Sequence, residues 1–348
     1  AAPSTISASP TVPTFPATPL ASIHYPYSAL PYQVITGQYV RGTQYGYNQC
    51  NASTQNQQSL CQTLIVNSLS DVCTYAPPQP NSTIGDTEGI EVSWCTKNGY
   101  GTRGIPPGTI TGGQMLRTPY YIQIVLFVDQ TKINLQAGDY GGELDGWGQD
   151  GLGNPIGGMV YTSAFNNQST LQQTSYWNVF EGGNVVGVKV CDPNGPNPAG
   201  YCQHTLDRIG LPYNMPNNAQ NNVFESCDSD PMDIPGIYTV NGQTSSYAQP
   251  PESLGPITTI PYTPRVPSSS NCQTYQSTAL YTDFLSLATS TSTASGTSPT
   301  GASNGPGSGS RSASAASASA TGSNGAGAVT ISLFSTILGV TFSIAFLA

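Results

Sequence analysis

Tyr121-Ile-Gln-Ile-Val-Leu-Phe-Val128 is the stretch that decides the fold. Eight residues, mostly apolar and β-branched, are too short for a core helix and read as a strand buried on both faces. Three neighbours carry the same signal. Val185-Val-Gly-Val-Lys-Val190 ends at Cys191, Gly89-Ile-Glu-Val-Ser-Trp94 alternates and ends at Cys95, and Gly157-Gly-Met-Val-Tyr161 follows a glycine-rich run. From Leu60 to Val72 the apolar spacing fits a helix or a short hairpin equally well. Only 8% of residues are charged, against about 25% in typical soluble domains. With 38 Gly, 29 Pro and 20 Tyr, the chain has many turn formers and few charges to dress a helix. These features predict a mainly β fold, a disulfide-stapled sandwich or barrel-like unit with long loops.

The eight cysteines are Cys50, Cys61, Cys73, Cys95, Cys191, Cys202, Cys227 and Cys272. Their number is even and no CxxC occurs, so four disulfides formed in an oxidising compartment are expected, not a metal site. Eight cysteines allow about a hundred pairings, and spacing does not choose among them. Three glycosylation sequons point to the same compartment: Asn51-Ala-Ser53, Asn81-Ser-Thr83 and Asn167-Gln-Ser169. An Ala1-Ala-Pro start is what removal of a signal peptide leaves.

The tail gives the strongest signal for location. From Leu287 the chain turns into Ser, Thr, Ala and Gly, a composition that cannot bury a core and suits O-linked sugars. An uncharged apolar run, Val329 to Ala348, closes the sequence. Small residues, a spacer and a terminal apolar run are the signal for a glycolipid (GPI) anchor, with Asn324 as the expected attachment residue. The expected organisation is an extended segment over 1–21, a disulfide-rich extracellular domain over 22–285, a stalk over 286–324 and an anchor signal over 325–348, removed on maturation. The membrane is then a partner through the lipid, either at the plasma membrane or in the wall. The net charge of −9, with nine Lys plus Arg in all, excludes a nucleic-acid partner.

One stretch concentrates carboxylates among glycines. Gly138 to Pro155 carries Asp139, Glu143, Asp145, Asp150 and Asn154, with Trp147 in its midst. Asp139, Asp145 and Asp150 could supply oxygens to calcium, although the spacing is not that of an EF-hand. No other cofactor is expected. Asp139, Glu143, Asp145 and Asp150 also contain a possible acid and base pair for glycoside hydrolysis, with Trp147 stacking on a sugar. The plainer alternative is an acidic surface loop with Asx turns and no catalytic residue. Asp228-Ser-Asp-Pro-Met-Asp233 reads as a solvated loop, and His204, three residues before Asp207, as a structural histidine on a short helical turn. Gly301-Ala-Ser-Asn-Gly305 matches a nucleophile elbow in letters only, since no strand and helix flank it.

Several motifs resemble the fungal macrophage-activating glycoproteins, a family that includes immunoreactive GPI-anchored mannoproteins. They are Asn81-Ser-Thr-Ile-Gly-Asp-Thr-Glu-Gly89, Ser93-Trp-Cys-Thr-Lys97, Gly101-Thr-Arg-Gly-Ile-Pro-Pro-Gly-Thr109, Ala137-Gly-Asp-Tyr-Gly-Gly-Glu143, Asp150-Gly-Leu-Gly-Asn-Pro-Ile-Gly-Gly158 and Tyr201-Cys-Gln-His204. The resemblance covers roughly residues 40 to 275. It implies a secreted, mannosylated wall or membrane protein whose glycans host lectin receptors recognise; it implies no catalytic residue. Cell-wall polysaccharide is the other expected partner.

Overall fold

The computed structural model describes residues 12–167 and 170–288. The stalk beyond 288, the anchor signal, Asn324 and Ser169 of the third sequon lie outside the described residues.

Fifteen strands are described. In chain order they are β1 (Thr63–Ser68), β2 (Asp71–Ala76), β3 (Val92–Cys95), β4 (Arg103–Gly104), β5 (Ile110–Arg117), β6 (Tyr121–Val128), β7 (Gly142–Asp145) and β8 (Met159–Thr162). Then come β9 (Gln172–Thr174), β10 (Trp177–Gly182), β11 (Val185–Cys191), β12 (Phe224–Ser229), β13 (Ile237–Val240), β14 (Gln243–Ser246) and β15 (Ser269–Thr274). Helices are single turns: α1 (Ile84–Thr87), α2 (Pro198–Tyr201), α3 (Gly210–Asn214) and α4 (Ser277–Leu280). The mainly β expectation holds.

Two sheets carry the fold. One has six strands in the order β4-β3-β2-β1-β8-β9, the other seven in the order β15-β12-β5-β6-β11-β10-β7. The hairpin β13–β14 stands apart from both. A single core of residues from Leu20 to Leu280 joins the sheets, with Ile122, Ile124 and Leu126 of β6 facing Val186, Val188 and Val190 of β11 across the ladder. The other face of the same strands is covered as well. There Val125, Phe180 and Val185 pack under Leu211 and Met215 of the 203–216 segment. Burial from both sides is why β6 reads as an unbroken apolar run.

The undecided stretch from Leu60 to Val72 is a hairpin, β1 with β2, paired at Val66 with Val72. The strand expected at 89–94 begins later, at Val92, and the one expected at 157–161 begins at Met159. β10 and β11 turn through Gly183 and Asn184, both with positive φ, which is the two-residue turn that matches strand twist. All eight cysteines are paired: Cys50–Cys61, Cys73–Cys95, Cys191–Cys202 and Cys227–Cys272. No bridge links the 50–95 cluster to the 191–272 cluster, so the shared core unites them. Among the described residues no helix is long and apolar enough to cross a membrane.

Candidate functional site

The acidic stretch is not one surface loop. Gly142–Asp145 is the edge strand β7, and only its flanks are turns. β7 pairs antiparallel with β10, Asp145 opposite Asn178 and Glu143 opposite Phe180. Strand alternation therefore places Glu143, Asp145, Asn178 and Phe180 on the outward face, while Leu144, Val179 and Glu181 turn into the core.

Each expected carboxylate has its own partners. Asp139 Oδ2 accepts from the Ile84 amide at 2.9 Å, at the start of α1. Asp145 Oδ1 accepts from the amides of Trp147 at 2.6 Å and Gly148 at 2.9 Å, an Asx turn. Asp150 accepts from the Leu152 amide at 3.1 Å and pairs with Arg41 at 3.1 Å. Arg41 also donates to Gln149 Oε1 at 3.0 Å, to Asn154 Oδ1 and to the Gly153 carbonyl. The three residues considered for calcium are thus not brought together: among the described residues no three of these carboxylates lie within 4.8 Å of one another. Asp228 sits on β12, not in a loop, and holds Asn271 at 3.0 Å, while Asp233 pairs with Arg265 at the surface.

Glu143 is the carboxyl set apart by its surroundings. Its Oε1 accepts from Asn178 Nδ2, which also donates to the Gln203 carbonyl at 3.0 Å. Its Oε2 is buried without a partner. Burial pushes the Glu143 carboxyl well above the usual range, Asp145 adds to the rise, and the Asn178 hydrogen bond opposes it. In the same row of the sheet, Lys189 lies opposite Asn178, fully buried. Its Nζ donates to the Asn214 carbonyl at 2.6 Å, and burial pulls its pKa down to about 7 against the pull of Glu143.

His204 is not on a helical turn. It lies in the extended link after Cys202, where its Nδ1 is 3.5 Å from Asp145 Oδ1 and its ring stacks on Trp147 at 5.7 Å, 5° from parallel. Its partner is Asp145, brought by the sheet, and not Asp207 beside it in sequence. Burial raises the Asp145 carboxyl, with His204 and the two turn amides opposing.

Beside this edge lies a cleft of about 600 Å³. Tyr140, Glu143 and Phe180 line one wall, and Asp207, Arg208 and Glu252 the other. Arg208 is fixed by the carbonyls of Pro250 at 2.6 Å and Gly255 at 2.5 Å. Sequence reading missed Phe180, Asp207, Arg208 and Glu252, which meet Glu143 only through long-range packing. Trp147, by contrast, is not part of this cleft. All three sequon asparagines, Asn51, Asn81 and Asn167, are exposed.

Against this geometry, two curated proteins of the fungus Mycosarcoma maydis are similar to the chain. Appressorium protein ROW2 is 39% identical over 241 residues, which is 68% of this chain and 79% of that protein. The chain belongs to its family. Appressorium protein ROW1 is 42% identical over 231 residues, 66% of this chain but 51% of the relative, so the chain spans about half of ROW1. No known family pattern matches the chain, and no solved structure matches it. Membership in this family places the chain among fungal proteins, as the sequence motifs imply, and the four disulfides complete the agreement.

Proposed function

We propose that this protein is a secreted fungal glycoprotein held at the cell surface by a GPI anchor, and that its β7–β10 cleft binds wall polysaccharide. The cleft carries the reading. It is large enough for a few sugar rings, and it offers the exposed Tyr140 ring as an apolar face and Asp207, Arg208 and Glu252 as hydrogen-bonding groups. Exposed sequons supply N-glycans around it, and mannose on them is what host lectin receptors would meet. Family relationship to appressorium proteins supports a role at a fungal surface. The macrophage-activating resemblance and the tail after Leu287 support the same location.

Binding, not turnover, is what this geometry favours. Asp139, Asp145 and Asp150 face donors of their own chain, and Glu143, on one wall of the cleft, has Oε1 on Asn178 and Oε2 buried, which leaves Asp207 and Glu252, both on the facing wall, as the exposed carboxyls. A hydrolase needs one carboxyl open to the glycosidic oxygen and a second across from it.

The test uses the secreted full chain on insoluble β-glucan, chitin and mannan, beside Tyr140→Ala and Glu252→Ala. Retention on one polymer that drops several-fold in both variants, with no sugar released, is expected. No retention on any polymer would remove the binding role; released oligosaccharide would make the protein an enzyme. Phosphatidylinositol-specific phospholipase C should free the protein from intact cells, with Asn324→Gln changing the attachment.

A further inference from the structure

A second hollow, of about 500 Å³, lies beside the β13–β14 hairpin, with Tyr213, Tyr238, Tyr262, Asp233 and Arg265 on its wall. Its tyrosines are set before any ligand arrives. Tyr238 of β13 stacks on Tyr262 at 5.0 Å, 8° from parallel, and Tyr213 of α3 meets Tyr262 edge-on at 5.4 Å. The Gly236 amide donates to Tyr262 Oη at 2.9 Å, which fixes that ring from a third direction. All three tyrosines are half-buried, so each keeps part of its ring at the surface. Pro216, Pro235, Pro261 and Pro264 complete the wall. Their φ angles are locked, so little ordering remains to be done on binding.

Charge narrows the chemistry of the ligand. Asp233 and Arg265 are the charged residues on this wall, and they pair with each other at 3.0 and 3.2 Å. The pair has no net charge, which disfavours a phosphate or an ammonium group. Both side chains are more than half exposed, and the fork uses only Nε and Nη2 of Arg265. Nη1 and the outer carboxylate lone pairs are left to meet hydroxyls. Aromatic rings beside a planar, neutral hydrogen-bonding group suit an uncharged sugar.

The hollow and the cleft share a wall. On α3, Leu211 borders the cleft and Tyr213 the hollow. On the link after β14, Ile257 borders the cleft and Pro261 the hollow, and four residues of chain span at most about 14 Å.

We propose that this hollow is a second saccharide site, and that one uncharged polysaccharide chain passes α3 to occupy it together with the cleft. The site stands on its own geometry, whereas the joint occupancy rests on the cleft reading above. A ligand held at two sites of one face gains affinity without any new contact.

The experiment is calorimetric titration of the full chain with disaccharides and hexasaccharides of β-1,3-glucan, chitin and mannan. In one series the chain should bind two disaccharides but a single hexasaccharide, the latter at least about tenfold more tightly. Tyr238→Ala should leave one disaccharide site, in the cleft, and Tyr140→Ala should leave one, in the hollow. Either variant should remove the hexasaccharide's gain. Arg265→Ala, at an exposed position that leaves the tyrosines in place, should act like Tyr238→Ala. Two disaccharides retained by both Tyr238→Ala and Arg265→Ala would overturn the site, and so would no saccharide binding at all. A single disaccharide lost in Tyr140→Ala alone would also overturn it. Two hexasaccharides per chain would overturn the joint occupancy. A single disaccharide lost in Tyr238→Ala but not in Tyr140→Ala would support the hollow and remove the cleft reading instead. The competing occupant is a proline-rich peptide, for which the probe is Pro10-Thr-Val-Pro-Thr-Phe-Pro-Ala-Thr-Pro19, with proline at every third residue. Binding of that peptide that needs Tyr238, with no saccharide bound, would also overturn the proposal.

Discussion

Replacing both Cys191 and Cys202 with serine removes a bridge that closes the same length of chain as Cys50–Cys61, a separation of 11 in each case. Loop-closure entropy alone predicts the same loss for both, about 3 kcal/mol from the eleven-residue loop. The structure says that they differ. The Cys50–Cys61 loop carries mostly exposed or half-buried side chains and gives one carbonyl, that of Ser59, to the buried Arg103 Nε at 2.9 Å. Cys202 instead leads into the 203–216 segment, which supplies the Gln203 carbonyl to Asn178 and the Asn214 carbonyl to Lys189 on a buried face. Freeing that segment leaves two buried donors short of a partner, each about 1–3 kcal/mol. The Cys191→Ser, Cys202→Ser variant should therefore lose at least about 1 kcal/mol more than Cys50→Ser, Cys61→Ser. Denaturant melts of both variants and the parent measure the difference, read from midpoints at constant m. Equal losses, or a larger loss for the Cys50–Cys61 variant, would refute the idea that the Cys191–Cys202 bridge holds a cover over the sheet.

Glycine at 141 should be irreplaceable where glycine at 138 is not. Both have φ near +85°, but a Cβ at Gly141 would lie 1.3 Å from the Glu181 carbonyl, while nothing lies within 4 Å of one at Gly138. Gly138→Ala should cost about 1–2 kcal/mol and fold normally; Gly141→Ala should fail to accumulate in secreted form, and equal yields would count against the β7 edge geometry. Arg41→Ala should leave the sheets intact but open the 146–154 turns to protease, since Asp150, Gly153 and Asn154 all lose the same guanidinium. Unchanged cleavage would show those turns hold themselves. Leu144→Ala, with no exposed surface on β7, should cost about 2–5 kcal/mol, checked by the shift in denaturant midpoint.

How much of this was legible depended on whether the cause was local. β6 and β11 announce themselves because each is a run of β-branched residues buried on both faces. The hairpin at 63–76 did not, since Asn67-Ser-Leu-Ser-Asp71 interrupts two apolar segments whose spacing suits either structure. What decides it is pairing with β3 and β8, which propensity does not encode. The bridges close on near neighbours within each cluster, yet nothing in their spacing distinguishes that pattern from the others.

The carboxylates make the sharper case. Asp139, Asp145 and Asp150 were candidates for calcium because glycine-rich acidic turns offer many oxygens. The same glycines free backbone amides to point inward, and those amides, with Arg41, satisfy two of the three within the turns themselves. Glu181 carried a quieter signal. In Trp177-Asn-Val-Phe-Glu-Gly182 it shares the inward positions with Trp177 and Val179, so strand alternation alone buries it. Only the facing sheet could show what it meets there. A chain with 8% charged residues that commits Glu91, Glu143, Glu181 and Lys189 to its interior is not sparing with charge where it folds. Burial costs little for a carboxyl that keeps its proton and much for one that does not, so the three glutamates are best tolerated where the medium is acidic. The lysine pulls the other way, because burial that lowers its pKa makes it gain as the solution becomes basic.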